Sequence, residues 1–566
     1  MSLFIFFSLT WIFLPRSPAA ARTLALAGPS AAGLEVFIEN RLFIPPDIHS
    51  FRFKAGIPPS FEFRGGFQRV HDFEVEFRPK PDSSFREVDD YGNMFLTAVY
   101  RRPSGEITVI RRFKSDNLRR PYGPAKSVSA VVSNPPREAR HFLAGTDLIQ
   151  VGQKPIRDLS RWLVKNIKDK AEAVDMIMNW LADNVEFVPP LEEADALTVL
   201  RSRRAGSEGL AHLAAALLRQ AGIPTRVVTG LSPGWPRKVP ARDRVWVLYP
   251  GQGRRVWIEV YLPDLGWVWC DPGASRYWVS PTWLRLGVGL DAAAAAGDGV
   301  MTWEGDGRPE ATEKIVFRLL NGESVEKVCQ EWGRPHNLML VMPLEEPCPL
   351  GPELIAEAAP SATLTPARLS VEEMLTLPRQ VVVLGHRHRP PDRGKLVYQK
   401  SEPGRGTARL NSILETLLPL TEEESFFQAL ILDSPFEPSE IELFLGWRGL
   451  RAGRLRVEIK ADQAGRPGRT TAVTQAVVLR GRDDGSSEGW VTFPLTSSPL
   501  LRPGRYWLAP ILEEAGALGW SYSPGNAFGP PDDTMSHDNR QDQWLTLNAD
   551  FHFGLKGFKR TPPGSP

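Results

Sequence analysis

The chain has 566 residues, enough for about four domains of ordinary size. A composition of 42% hydrophobic and 24% charged residues can supply several cores and excludes wholesale disorder. Lys and Arg total 68 against 66 Asp and Glu, without the basic excess of a dedicated nucleic-acid binder, so no nucleic-acid partner is expected.

Residues 3–14 (LFIFFSLTWIFL) are charge-free and mostly apolar, the length of a leader-peptide hydrophobic region and short of the roughly 20 residues that span a bilayer. Small residues follow at Ala19, Ala20 and Ala21 and again at Ala25, Leu26 and Ala27, and either set offers a cleavage site. No Lys or Arg precedes the run, as a start codon assigned too far downstream would explain; the alternative is a buried apolar segment. Residues 1–27 are read as a signal peptide. The mature chain, with no later membrane span, is expected to be exported, periplasmic or extracellular. Three cysteines cannot build a disulfide scaffold, but export would let Cys329 and Cys348 pair.

Residues 34–125 alternate apolar and polar side chains (FEFRGGF, FEVEFRP, FLTAVYRR, ITVIRRF), with turn residues at 80–82, 90–93 and 103–105, which predicts an antiparallel β-domain. Over 140–285 the period changes. Apolar residues recur at three and four spacing through 156–166, 170–185, 194–201 and 207–220, the last helix stopping at Gly222 with Pro224 beyond. Strand-like runs follow (TRVVTGL, RVWVLYP, RVWIEVYLP, GWVWCDP), so this part is α+β, helices packed on an antiparallel sheet. Residues 286–312 are small and glycine-rich and read as a linker. Residues 313–424 are mixed, with a helix expected over 324–332 and a buried strand over 380–384. Residues 425–558 return to short strands between turns and predict a C-terminal β-sandwich. The fold class is therefore a multidomain chain: β-domain, α+β core, β-sandwich.

The blocks RAGSEGLAHLAAALLRQAGIPTRVVTGL (204–231) and RRVWIEVYLPDLGWVWCDPG (254–273) resemble, in order, the transglutaminase-like (papain-related) superfamily. That family has a Gly-x-Cys-x-x-x-Ala-x-Leu helix start, a Gly-Ile-Pro-x-Arg turn into a strand, His-x-Trp-x-Glu-Val-Tyr-Leu-Pro, then Gly-Trp and Asp-Pro. The preceding β-region, with DDYGNMF, is similar to the N-terminal domain of bacterial members. The resemblance implies a thiolate at a helix N-terminus, a His that shuttles the proton and an Asp that orients it. Matched position by position, the nucleophile is Ser207, the base Arg255, and only Asp271 is retained. A Ser hydroxyl needs a base, and an arginine holds its proton at neutral pH. The resemblance thus implies a catalytically inactive homologue serving as a binding or scaffolding module in the cell envelope, its ligand a protein, peptide or polysaccharide. One alternative is an amide hydrolase or acyl transferase working through another arrangement. A second is carbohydrate-surface binding by the sandwich, which resembles modules appended to exported bacterial proteins and carries Trp447, Trp490, Trp507, Trp520 and Trp544. Neither a metal nor another cofactor is assigned.

In this frame Arg255 and Asp271 should lie within about 10 Å of Ser207, near enough for side chains to meet. Two outcomes are open: an Arg255–Asp271 salt bridge that plugs the site, or an Arg255 that projects past Asp271 to form an anion site with the helix start. Adjacent strand residues face opposite sides, which turns Cys270 into the core if Asp271 faces the cleft. His212, a turn and a half beyond Ser207, reads as packing, and Ser207 is a residue type that favours helix starts. Glu259 is expected in polar surroundings without chemistry. His386-Arg387-His388 and the group Asp532, Asp533, His537, Asp538 and Asp542 have metal-like content but read as solvated loops.

Overall fold

The computed structural model describes residues 22–27, 30–103, 105–120, 135–188, 195–241, 244–322, 327–332, 338–341, 370–387, 396–398, 404–410, 414–448, 453–479, 486–514, 516–525 and 533–560. Two sheets enclose the N-terminal core. One runs Leu396–Tyr398, Arg405–Leu410, Val300–Gly305, Ile48–Ile57, Met94–Arg101, Ser83–Val88; the other runs Glu310–Asn321, Ser30–Ile44, Gly105–Arg119, Gly66–Arg78, Phe61–Phe63. Alternation along these strands turns Leu42, Ile48, Phe51, Phe53, Val109, Met301 and Trp303 inward.

Two expectations are corrected here. The stretch 286–312 is no linker: it holds a strand (Leu284–Gly289), a short helix (Ala292–Ala295) capped by Asp291, and two strands that complete the N-terminal sheets. Its glycines allow tight turns between buried elements; a Cβ on Gly297 would lie 2.2 Å from the Phe95 ring. The mixed segment 313–424 divides its strands among all three regions. The helix expected over 324–332 is, where described, a strand, Lys327–Trp332, antiparallel to Arg22–Ala27.

The four expected helices form as Lys154–Leu163, Lys170–Asn184, Ala196–Ser202 and Ser207–Gln220. Asp169 and Asp195 cap the second and third by accepting N–H bonds from Ala171 and from Leu197 and Thr198. The Ser207–Gln220 helix is buried on every face from Ser207 to Arg219, the pattern of a helix enclosed by its neighbours. At its end Gly222 takes φ +73°, the left-handed cap that glycine adopts most readily. The Arg219 guanidinium donates to the carbonyls of Thr225, Ala144 and Leu290, tying the helix end to two loops; burial pushes its pKa down to about 10.

The central sheet runs Leu284–Gly289, Thr225–Pro233, Gln252–Leu262, Gly266–Asp271, Ser275–Arg276, Leu338–Val341, Arg22–Ala27, Lys327–Trp332. Leu24 and Leu26 lie in its helix-facing core, so the segment assigned to a leader contains a core strand at its end. The hairpin Arg237–Ala241/Arg244–Leu248, read from sequence as part of this sheet, instead pairs in parallel with Gln543–Phe551 of the C-terminal β-region, Trp246 opposite Thr546. That region's sheets enclose Leu443, Leu445, Val457, Ile459, Phe493, Trp520 and Phe551; the strand at 380–384, expected to be buried, joins it along Phe553–Arg560 as an edge strand with Val381 and Val383 exposed.

Candidate functional site

The ladder between Gln252–Leu262 and Gly266–Asp271 runs from Leu262 opposite Gly266 to Ile258 opposite Cys270 and stops. Beyond it, Val256 donates its N–H to Ser207 Oγ at 3.4 Å, so the start of the Ser207–Gln220 helix meets the strand where the ladder ends. Ser207 is 5% exposed. Gly206, not Ser207, is the helix cap residue, which corrects the capping explanation for this serine.

Arg255 and Asp271 meet across the same gap. Arg255 Nη2 donates to Asp271 Oδ2 at 2.5 Å, and Nη1 donates to the Pro250 carbonyl at 2.7 Å. The guanidinium carbon lies 4.3 Å from the centroid of the Trp283 ring. Asp271 Oδ1 accepts the Gly273 N–H at 3.1 Å. With Arg255 and Asp271 only 3% and 2% exposed, the pair is withdrawn from water. The charge-assisted contact joins the two side chains across the gap. Among the described residues the Arg255 Nε has no hydrogen-bond partner.

The neighbouring strand residues hold two further buried charge clusters. Arg254 donates to Asp298 Oδ2 and to Glu313 Oε1, both at 2.8 Å, and Asp298 also pairs with Arg111 and accepts the Gly56 N–H at 2.7 Å. This network joins the central sheet to the N-terminal sheets. Burial alone would raise the pKa of Asp298, but the charges of Arg111 and Arg254 and the Gly56 N–H hold it well below the usual carboxylate range. Glu259 is fully buried between Arg226 and Arg285, not merely in polar surroundings, and these cations lower its pKa against the opposing effect of burial. Sequence reading assigned neither cluster, because Arg111, Asp298 and Glu313 lie far apart in the chain.

A cavity of about 60 Å³ opens beside Arg255. Trp235, Arg237, Trp278 and Trp283 line it from the central region, and Pro524, Gly525 and Asn548 from the C-terminal one; Ser207 and Asp271 do not line it.

The remaining sequence candidates fall elsewhere. Cys270 faces the core, fully buried, and burial pushes its thiol up to about 12. His212 is buried and accepts the Ala292 N–H at Nε2, a packing contact that anchors the Ala292–Ala295 helix. His386 is buried, not solvated: its ring lies 4.6 Å from that of His552, and Nε2 is 3.4 Å from Glu186 Oε1. His388 lies outside the described residues. His537 contacts Asn539 and Asp542, and Asp538 accepts the N–H groups of Arg540 and Gln541, closing a turn; Asp532 is outside the described residues. The expected Cys329–Cys348 pairing also lies outside them. Trp507 and Trp520 are buried, Trp520 stacked on Phe551 at 4.1 Å, so neither offers a face to a sugar. Among the described residues no helix is long and apolar enough to cross a membrane.

The family model of the transglutaminase-like superfamily matches residues 157–272. Among solved structures the chain is similar to a putative cysteine protease from Cytophaga hutchinsonii, at 17% identity and TM-score 0.42, over 52% of this chain and 92% of that one. It is also similar to a putative protease from Parabacteroides distasonis, at 11% identity and TM-score 0.18, over 45% and 67% of the two chains. Red sea bream transglutaminase aligns at 10% identity and TM-score 0.19, over 85% and 95%. No curated protein matches the chain. The ordered sequence blocks, the buried helix set against the antiparallel sheet and the family match agree: residues 157–272 form a transglutaminase-like domain.

Proposed function

We propose that this domain keeps the superfamily's frame without its proton-transfer chemistry and serves as a binding module in an exported protein. In this reading Ser207, Arg255 and Asp271 stand at the nucleophile, base and orienting positions. The observation that carries it is the buried 2.5 Å contact between Arg255 and Asp271. It ties up the orienting carboxylate with a side chain that cannot accept a proton, so the Ser207 hydroxyl has no base from this pair. Loss of general-base help alone removes about 10²–10⁴ in rate.

The test restores the residue types. Ser207→Cys with Arg255→His places a thiol at the helix N-terminus, where the dipole favours a thiolate, and an imidazole beside Asp271. Iodoacetamide should label the introduced thiol of the double variant at least tenfold faster than that of Ser207→Cys alone, with Cys270 unlabelled in both. Equal rates would show that the base position has no influence on residue 207.

Export rests on the apolar leader-like run. The strand Arg22–Ala27 supplies Leu24 and Leu26 to the central core, so of the two cleavage sites only the one ending at Ala21 leaves the sheet intact. N-terminal sequencing of the exported chain should begin at Arg22 or earlier. A mature chain beginning after Ala27 would refute this.

A further inference from the structure

We propose that the edge strand Arg379–Leu384 of the C-terminal region pairs antiparallel with the same strand of a second copy of this chain. Its Val381-Val382-Val383-Leu384 is the continuous apolar run of a strand covered on every side. The fold covers one edge of it, through the ladder with Phe553–Arg560, and there the sheet ends. Val381 is 73% and Val383 42% exposed, and Leu375, just before the strand, is 50% exposed. Among the described residues no strand meets the second edge. An open edge presents unpaired N–H and C=O groups, and proteins blunt it with charge, proline, bulges or shortness. The far edge of the same sheet, Arg466–Val473, carries Arg466, Pro467 and Arg469 and breaks its register twice. In the N-terminal sheets Leu396–Tyr398 and Phe61–Phe63 are three residues long, and Ser83–Val88 and Glu310–Asn321 intersperse charged side chains. Arg379–Leu384 has none of these devices: its register is unbroken, and its one charge, Arg379, pairs with Glu437 at 2.8 Å.

The strand is also complementary to itself, which selects a second copy as the occupant. A two-fold axis through Val382 sets Val381 of each copy opposite Val383 of the other and Gln380 opposite Leu384, and Arg379 meets Gly385 instead of another charge. The valines then join on the face that Phe558, opposite Val381, already shares. A two-fold pairing uses up the edge of both copies, so assembly stops at two chains. A strand of six residues is small beside the roughly 1,200–2,000 Å² that stable interfaces bury, so monomer and dimer should exchange.

The test is sedimentation equilibrium of the full chain over about a hundredfold range of micromolar concentration. The mass should rise from that of one chain toward that of two and no further. Val381→Lys with Val383→Lys sets lysine opposite lysine and should weaken the dimer at least tenfold at an unchanged denaturation midpoint, since both positions are exposed. A mixture of Val381→Lys chains with Val383→Glu chains sets lysine opposite glutamate and should pair more tightly than either variant alone. If the lysine variant does not fold, hydrogen exchange of the wild-type chain decides instead: the amides of 379–384 that do not bond Phe553–Arg560 should exchange at least tenfold more slowly at high concentration than at low. A wild-type chain that stays a monomer throughout would leave the edge to a strand of a different protein and overturn the second copy. Undiminished association in the folded lysine variant, a mixture that pairs no better than its parts, growth beyond two chains, or exchange that ignores concentration would each overturn the pairing.

Discussion

Arg255→Ala is expected to destabilise the chain by roughly 3–5 kcal/mol, because it leaves the Asp271 carboxylate buried without its cation. The Gly273 N–H would be the one hydrogen bond described here that remains to that carboxylate. The loss should appear as a lower denaturant midpoint with an unchanged slope. Removing both charges, with Arg255→Met and Asp271→Asn together, should recover most of it, since a buried pair costs far more to break than to replace by neutral groups. A cost below about 1 kcal/mol for Arg255→Ala would mean that the pair is solvated and plugs nothing.

Asp298→Asn should be comparably severe at neutral pH, again roughly 3–5 kcal/mol, because Arg111 and Arg254 would both lose a buried counter-charge. The effect should depend on pH in a defined direction. The folded-state pKa of Asp298 is depressed, so its stabilisation is fully present above the unfolded value near 4 and is lost as pH falls below it toward the folded value. Wild type and variant should therefore differ most above about pH 5 and converge as the pH drops toward 2. A gap that stayed constant over this range would show that the carboxylate charge is not what the network uses.

Local signals in the sequence located the parts of the fold that depend on neighbours in the chain. The Ser207–Gln220 helix carries its own start, its period and its Gly222 stop, and the structure reproduces its bounds. Strand alternation placed Cys270 in the core. Parts that depend on remote partners were misread. Val300–Gly305 looked like linker and most of Glu310–Asn321 fell in a stretch of mixed character, because their strand character is set by pairing with Ile48–Ile57 and Ser30–Ile44, more than 200 residues earlier. Lys327–Trp332 looked helical because its partner, Arg22–Ala27, lies in a stretch that reads as a leader.

The site divides in the same way. Ser207, Arg255 and Asp271 each fall inside a contiguous motif, and the structure brings Arg255 onto Asp271 and Ser207 onto the adjoining Val256. The cavity was not legible. Its walls come from the Arg237–Leu248 hairpin, the 273–283 turn and the C-terminal strands, and no spacing in the sequence records that those segments meet.

The central claim is that Ser207 has no base, and its reactivity is the direct measure. Wild-type chain incubated with a fluorophosphonate, which reacts with base-activated serines, should keep its intact mass, and peptide mapping should find Ser207 unmodified after hours at neutral pH. Stoichiometric phosphonylation at Ser207 would contradict the account, since it requires a proton acceptor that the buried Arg255–Asp271 pair does not provide.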